Sequence, residues 1–258
     1  CPSCHSQPNP GRGSSGWVPA WLDVEGVAMT LVAVTGASGK SGWRVVDQAL
    51  HRGLAVRAIL RPGSVLPAAL AEAEQQGRLE VRRLDLSATE ALQSALRGCD
   101  SLVIATGARP SVNLAGPLQV DAIGVRDQIQ ACQAVGLKRV VLVSSLCAGR
   151  WLHPLNLFGL ILVWKRLGEH WLEQSGLDWT VIRPGGLSED DSRAASEGVV
   201  YSGADQQESS SLPRLLVARA CLDALETPAA IGKIIEITSS ANQEPQPLAG
   251  WLARQLVP

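Results

Sequence analysis

The feature that most constrains this chain is a steady alternation of short, β-branched runs with segments of helix length. The runs fall at 31–35, 55–60, 79–84, 101–105, 139–144, 179–183 and 233–238. Several are almost unbroken Val, Ile and Leu, the composition of strands covered on both faces. Between them lie helical stretches at 41–52, 67–76, 87–96, 117–135 and 156–174, with Gly53, Gly77, Gly136 and Gly176 as stops. Ser87, with Glu90 three residues on, gives the third of these a capping-box start. Strand and helix in turn predict an α/β, Rossmann-like, doubly wound and mostly parallel sheet. The pattern breaks at 185–212, which is polar apart from a short strand at 198–201, and a helix follows at 213–225. Ligands of open α/β sheets bind beyond the carboxyl ends of the strands. The segment at about 185–230 is therefore expected to form a small C-terminal lobe on the substrate side.

Length and composition fit one such domain. Of 258 residues, 46% are hydrophobic and 18% charged, enough to build a core. A net charge of −1 gives no footprint for nucleic acid. Residues 1–28 are rich in Gly, Pro and Ser and lack periodicity. They are expected to be a disordered upstream extension, with Met29 marking the start of a domain over 29–258. Cys1, Cys4 and His5 spell a haem-attachment signal, but no export signal accompanies it, and a zinc site would need further ligands. The other cysteines, at 99, 132, 147 and 221, have no metal spacing and read as reduced thilols of a cytosol-like compartment. No metal is expected. The most apolar stretch, 157–164, is far shorter than the roughly 20 residues of a spanning helix. It reads as a buried helix face, with a membrane-surface or subunit contact as the alternative.

The chemistry begins at Gly36-Ala-Ser-Gly39-Lys-Ser-Gly42, directly after the first strand and opening a helix. The first Gly allows a tight turn. The second lets the backbone approach a pyrophosphate, which rests on helix N-terminal amides. A P-loop would need Gly where Val34 stands. NAD enzymes place an acid at the end of the second strand for the ribose 2′-hydroxyl. This chain has Arg57 and Arg61 there, and no acid between 55 and 70. Arg61 is suited to grip a 2′-phosphate in a bidentate manner, so NADP(H) is expected over NAD(H).

The segments 35–42, Asp85-Leu86, 105–107, 143–145 and Arg183-Pro-Gly-Gly-Leu187 stand in the order and spacing of the atypical short-chain dehydrogenase/reductases. The chain most resembles their NmrA-like, NAD(P)H-binding branch. The stretches 155–166, ending Trp-Lys-Arg, and 175–186 are similar to cyanobacterial and plastid members, such as the redox component of the chloroplast inner-envelope import complex. The resemblance covers about 29–258. It implies phosphate contacts from Gly36, Ser38, Gly39, Lys40, Ser41 and Gly42, with Arg61 on the 2′-phosphate. It places Asp85 and Leu86 at the adenine, and Thr106 and Gly107 along the ribose side. Ser144 and Lys165 fall at the nicotinamide ribose, where catalysis is expected, and Pro184 and Gly185 border the nicotinamide. It also implies a cytoplasmic protein, or one of the plastid stroma in a photosynthetic eukaryote.

One departure is decisive for function. The family acid is the Tyr of Tyr-x-x-x-Lys, yet Ile161 stands four residues before Lys165. Tyr201, the one tyrosine, is not followed by Lys, and Leu146 occupies the customary Ser position. His153, Lys165 and His170 are replacement acids to weigh. Glu189, Asp190 and Asp191 form an acidic run that reads as a solvated loop. Two functions are consistent with this sequence. One is an NADPH-dependent oxidoreductase acting on a conjugated acceptor without a Tyr acid. The other is a non-catalytic NADP(H) redox sensor or protein-binding module. Substrate, protein partner and oligomeric state are left open.

Overall fold

In a computed structural model of the protein, residues 30–108, 115–148, 150, 154–157, 159–207 and 210–255 are described. Residues 1–28, Met29 and His153 lie outside this set.

Seven strands run parallel: β1 (Leu31–Thr35), β2 (Ala55–Leu60), β3 (Leu79–Arg83), β4 (Ser101–Ile104), β5 (Arg139–Val143), β6 (Asp178–Pro184) and β10 (Lys233–Ser240). β8 (Gly198–Ser202) closes the sheet antiparallel to β10, giving the order β3-β2-β1-β4-β5-β6-β10-β8. The chain winds outward from β1 to β3, then returns to β4 on the other side of β1. That reversal makes the carboxyl ends of β1 and β4 the switch point, where a crevice opens. A small parallel pair, β7 (Gly186–Ser188) with β9 (Ser211–Pro213), stands apart from the main sheet.

Strand residues alternate between two cores. In β1, Val32 and Val34 join one apolar cluster, and Leu31 and Ala33 join the other. The first cluster packs under α1 (Gly42–His51), α2 (Ala68–Gln75), α7 (Arg214–Glu226) and α8 (Leu248–Gln255). The second packs under α3 (Thr89–Leu96), α5 (Gly124–Val135) and α6 (Ile161–Glu173). Burial on both faces explains why the strands carry so few polar residues.

Three helix expectations need correction. Ala88, not Ser87, precedes the first turn of α3, and the Ser87 hydroxyl donates to Asp85 at 2.9 Å. The segment expected as one helix over 117–135 is α4 (Ala115–Pro117), a π-helical stretch Leu118–Ile123, and α5. The helix expected from 156 begins at Ile161, because Gly159 and Leu160 both adopt left-handed backbone, at φ 78° and 56°. A 3₁₀ turn, Pro154–Leu157, precedes that break. The expected buried face at 157–164 is therefore formed only in part: Leu162 is buried with Ile161 packed beside it, whereas Leu157 is 84% exposed and Leu160 is exposed too. Among the described residues no helix is long and apolar enough to cross a membrane. β7, β9 and α8 have no counterpart in the sequence reading.

Candidate functional site

The glycine loop turns the chain from β1 into α1. Gly36 has φ 71°, and a Cβ there would stand 2.7 Å from the Ala105 carbonyl oxygen at the end of β4. A Cβ on Gly42 would fall 2.2 Å from the Gly36 carbonyl oxygen. The loop is thus folded tightly on itself, with Gly39 N donating to Gly36 O at 2.8 Å. Ser38 and Ser41 are half-buried and Lys40 is exposed.

The loop is met by the lobe. Lys40 is ion-paired with Glu189. Arg44 donates through Nε to Asp191 at 2.6 Å, and Asp191 also accepts from the backbone of Leu215 at 3.1 Å. Arg214, the first residue of α7, donates to the Ser41 hydroxyl at 2.9 Å. The acidic run is exposed at Glu189 and Asp190, as expected of a solvated loop, but Glu189 and Asp191 are also the counter-charges of basic residues in and after the glycine loop. Lys40 holds the Glu189 carboxyl below its usual range. Asp190 alone closes on its own turn, accepting from Ser192.

At the ends of β2 and β3 the expected residues separate into two kinds. Arg57 is spent on structure, pairing with Glu80 at 2.6 Å and donating to the carbonyls of Ala95 and Arg97. Arg61 follows β2 in the open, and its guanidinium has no partner among the described residues. Asp85 is exposed and accepts from the Ser87 backbone and hydroxyl, bonds that lower its pKa. Leu86 packs against the second core beside it.

The other expected site residues are brought together by β4, β5, β6, α6 and the π-helical stretch. Such stretches recur at functional sites, and this one presents Asp121, which is buried. Asp121 Oδ1 accepts from Lys165 Nζ at 2.8 Å, and Oδ2 accepts from the Ala108 backbone at 3.2 Å. Lys165 can reach it because α6 carries Gly168, where a Cβ would meet the Asp121 carbonyl oxygen at 2.4 Å. Lys165 keeps 14% of its side chain exposed and stands close to Gly107. Ser144 extends β5 by a backbone bond to Ile182 at 2.8 Å, and Leu146 does the same to Pro184. Gly185 is held by Ile237, and Gly186 by Ser210 of the lobe. Asp121 and Arg214 escaped the sequence reading, and Glu189 entered it only as part of an acidic run. The available signal for Asp121 was a lone acid in the apolar run 120–125.

Behind Lys165 lies a buried ion cluster. Arg183, at 1% exposure, donates to both carboxylate oxygens of Glu169 at 2.9 and 2.8 Å. It also reaches Asp205 at 3.0 Å and Glu236 at 3.5 Å. Glu236 is itself wholly buried and accepts the backbone amides of Asp205, Gln206 and Gln207. Glu169 stands one turn after Lys165 on α6, so the cluster fixes the rotation of the helix that carries Lys165.

Of the residues weighed as acids, Tyr201 is excluded by place. It is buried in the first core against Trp251, with ring centroids 5.8 Å apart, and burial pushes its phenol up. Tyr201→Phe is expected to leave NAD(P)H binding and any turnover unchanged; a rate loss of tenfold would return the phenol to the mechanism. His170 is exposed on α6 in a surface hollow with Val163, Arg166 and Leu167. A cavity of about 540 Å³, lined in part by Trp179, Lys233 and Trp251, opens at the amino-terminal end of β10. It is remote from the carboxyl edge of the sheet and does not serve the glycine loop. Among the described residues no cluster of His, Cys, Asp or Glu is placed to hold a metal.

Among the described residues the buried hydroxyls of Ser101, Thr106 and Ser144 have no hydrogen-bond partner. Buried polar groups are rarely left unpaired, and Thr106 and Ser144 stand just past β4 and β5 at the carboxyl edge of the sheet, whereas Ser101 is at the other end of β4. With the tight glycine turn, Thr106 and Ser144 fit a nicotinamide cofactor.

A parallel sheet with a phosphate loop at its switch point defines a Rossmann-type dinucleotide-binding protein. The family described as NAD(P)H-binding matches residues 36–228. The chain is 34% identical over 221 residues to a chloroplastic protein of Arabidopsis thaliana, covering 81% of this chain and 77% of that one. Similarity to sanguinarine reductase of Eschscholzia californica is 29% over 253 residues, covering 81% and 88%. A Bacillus halodurans structure described as an NAD-dependent epimerase/dehydratase superposes with TM-score 0.73 at 26% identity, over 87% of this chain and 99% of that one. This chain belongs to the NAD(P)H-binding family.

Proposed function

We propose that the protein is an NADPH-dependent reductase of a conjugated acceptor, such as a quinone, a flavin or an isoprenoid-like or tetrapyrrole compound. The observation that carries this reading is the pairing of half-buried Lys165 with buried Asp121, in a chain from which the family acid is absent. When bound, NADPH supplies a hydride and is oxidised to NADP+. The glycine loop and Lys40 would hold the pyrophosphate, and Arg61 the 2′-phosphate. Asp85 and Leu86 would flank the adenine, and Thr106, Gly107 and Ser144 would face the riboses. Lys165, held by Asp121, would donate to the nicotinamide ribose hydroxyls and set the ring against Pro184 and Gly185. Ile161 offers no proton. A conjugated acceptor tolerates that, because its reduced form spreads charge and takes its proton from water. A simple carbonyl does not. Reductase activity in a relative of similar length supports the reading. The compartment we assign is the cytoplasm, or the plastid stroma in a photosynthetic eukaryote.

The test is a titration with NADPH, NADP+, NADH and NAD+, followed by NADPH oxidation against quinone and flavin acceptors. Arg61→Ala is expected to weaken NADPH binding at least tenfold and leave NADH unchanged, since a hydrogen bond to a charged group is worth about 1.5–3 kcal/mol. Equal affinities for NADPH and NADH in the unaltered protein would remove the assignment of Arg61. NADPH bound but never oxidised by any acceptor would leave the redox-sensor reading, which the absent Tyr acid also favours.

A further inference from the structure

The glycine loop is not finished by its own residues. Lys40, Arg44 and Arg214 converge on it, against Glu189 and Asp191. Three cations face two anions, so the contact is one negative charge short. Arg44 is fully engaged, by Asp191 and by the Lys40 carbonyl at 2.5 Å. Arg214 is not. Its Nη1 donates to the Ser41 hydroxyl, while its Nε is buried and has no partner among the described residues. Burial lowers its pKa, against the opposing pull of Glu189 and Asp191, and Arg44 adds to the lowering as a neighbouring like charge. A guanidinium in this state is waiting for an anion. Ser41 sits at the amino end of α1, where backbone amides point at a phosphate. Lys40 meanwhile is occupied by Glu189, but both side chains are 57% exposed. Exposed pairs contribute little, so this one is exchanged at small cost.

We infer that Arg214 is a ligand for the dinucleotide's pyrophosphate, and that Glu189 keeps its place on Lys40 until the pyrophosphate arrives. The lobe thus supplies both a cation that binds the cofactor and an anion that competes with it. Both groups lie in or just after the polar segment 185–212, so cofactor occupancy and the arrangement of the lobe are linked through this exchange. The inference rests on the glycine loop holding the pyrophosphate.

Calorimetric titration of the full chain tests it with three probes: NADPH, inorganic pyrophosphate, and adenosine 2′-monophosphate, which lacks the pyrophosphate. Arg214→Gln is expected to raise the NADPH Kd about tenfold or more, to weaken pyrophosphate, and to leave the adenosine monophosphate unchanged. Glu189→Gln is expected to act in the opposite direction, tightening NADPH and pyrophosphate by a few-fold. Should Arg214→Gln fail to fold by thermal unfolding, Arg214→Lys, which keeps the charge, replaces it with a smaller loss expected. Unchanged NADPH affinity in the Arg214 variant overturns the inference. So does an equal loss for all three probes, the signature of a collapsed site, and so does a Glu189 variant that binds more weakly. If the unaltered protein binds neither NADPH nor pyrophosphate, the glycine-loop reading itself falls, a result distinct from these.

Discussion

Lys165→Met is expected to lower the turnover of NADPH with a quinone or flavin acceptor by about 100-fold, the usual loss when one preorganised donor is removed from a reacting centre. The substitution keeps an unbranched apolar side chain and deletes the ammonium that Asp121 holds at 2.8 Å. The loss should fall mainly on kcat, because the phosphate and adenine contacts are untouched. Asp121 is buried, so the variant also leaves a carboxylate with the Ala108 amide as its one remaining partner given above. The double variant Lys165→Met/Asp121→Asn separates the two effects: it should recover stability without recovering rate. Steady-state kinetics and thermal unfolding of both variants are the measurements. An unchanged kcat with a raised KM would reduce Lys165 to a cofactor tether.

Glu169→Ala is expected to destabilise the fold by about 3 kcal/mol, read as a lower midpoint in urea unfolding. Removing one partner of a buried ion pair strands the other charge, and such losses run to about 3–5 kcal/mol. Arg183 keeps Asp205 and Glu236, which places the expectation at the low end. Glu169→Gln, which retains hydrogen-bonding oxygen, should lose less. Because Glu169 stands one turn from Lys165, the Ala variant should lower turnover as well. A change below 1 kcal/mol would mean that Asp205 and Glu236 neutralise Arg183 unaided, and α6 would then owe its setting to packing alone.

Much of the fold was legible in the sequence because its signals are local. A strand buried on both faces must be apolar throughout, and β1 and β2 have the boundaries that their Val, Ile and Leu runs predict. The glycine turn was legible for the same reason: the backbone path from β1 to α1 excludes a side chain at Gly36 and Gly42. So was the absence of an acid, since Ile161 is read directly against Lys165. What failed depended on partners far along the chain. The helix at 156 was expected from periodicity, but Gly159 and Leu160 break it, and no period reports a left-handed residue in advance. The counter-charge role of the run at 189–191 was missed because its cations, Lys40 and Arg44, lie some 150 residues away.

The sequence by itself determined the class of sheet, the place of the tight glycine turn and the absence of the Tyr of Tyr-x-x-x-Lys. Each follows from residues adjacent in the chain, where sterics and burial act over a few bonds. Only the tertiary structure decided that Arg57 is structural while Arg61 has no side-chain partner among the described residues, that Asp121 holds Lys165, and that Arg214 and Glu189 of the lobe attend the glycine loop. Those are Coulombic and hydrogen-bonding relations, and they depend on distance in space, which the winding of the sheet sets and the order of residues does not.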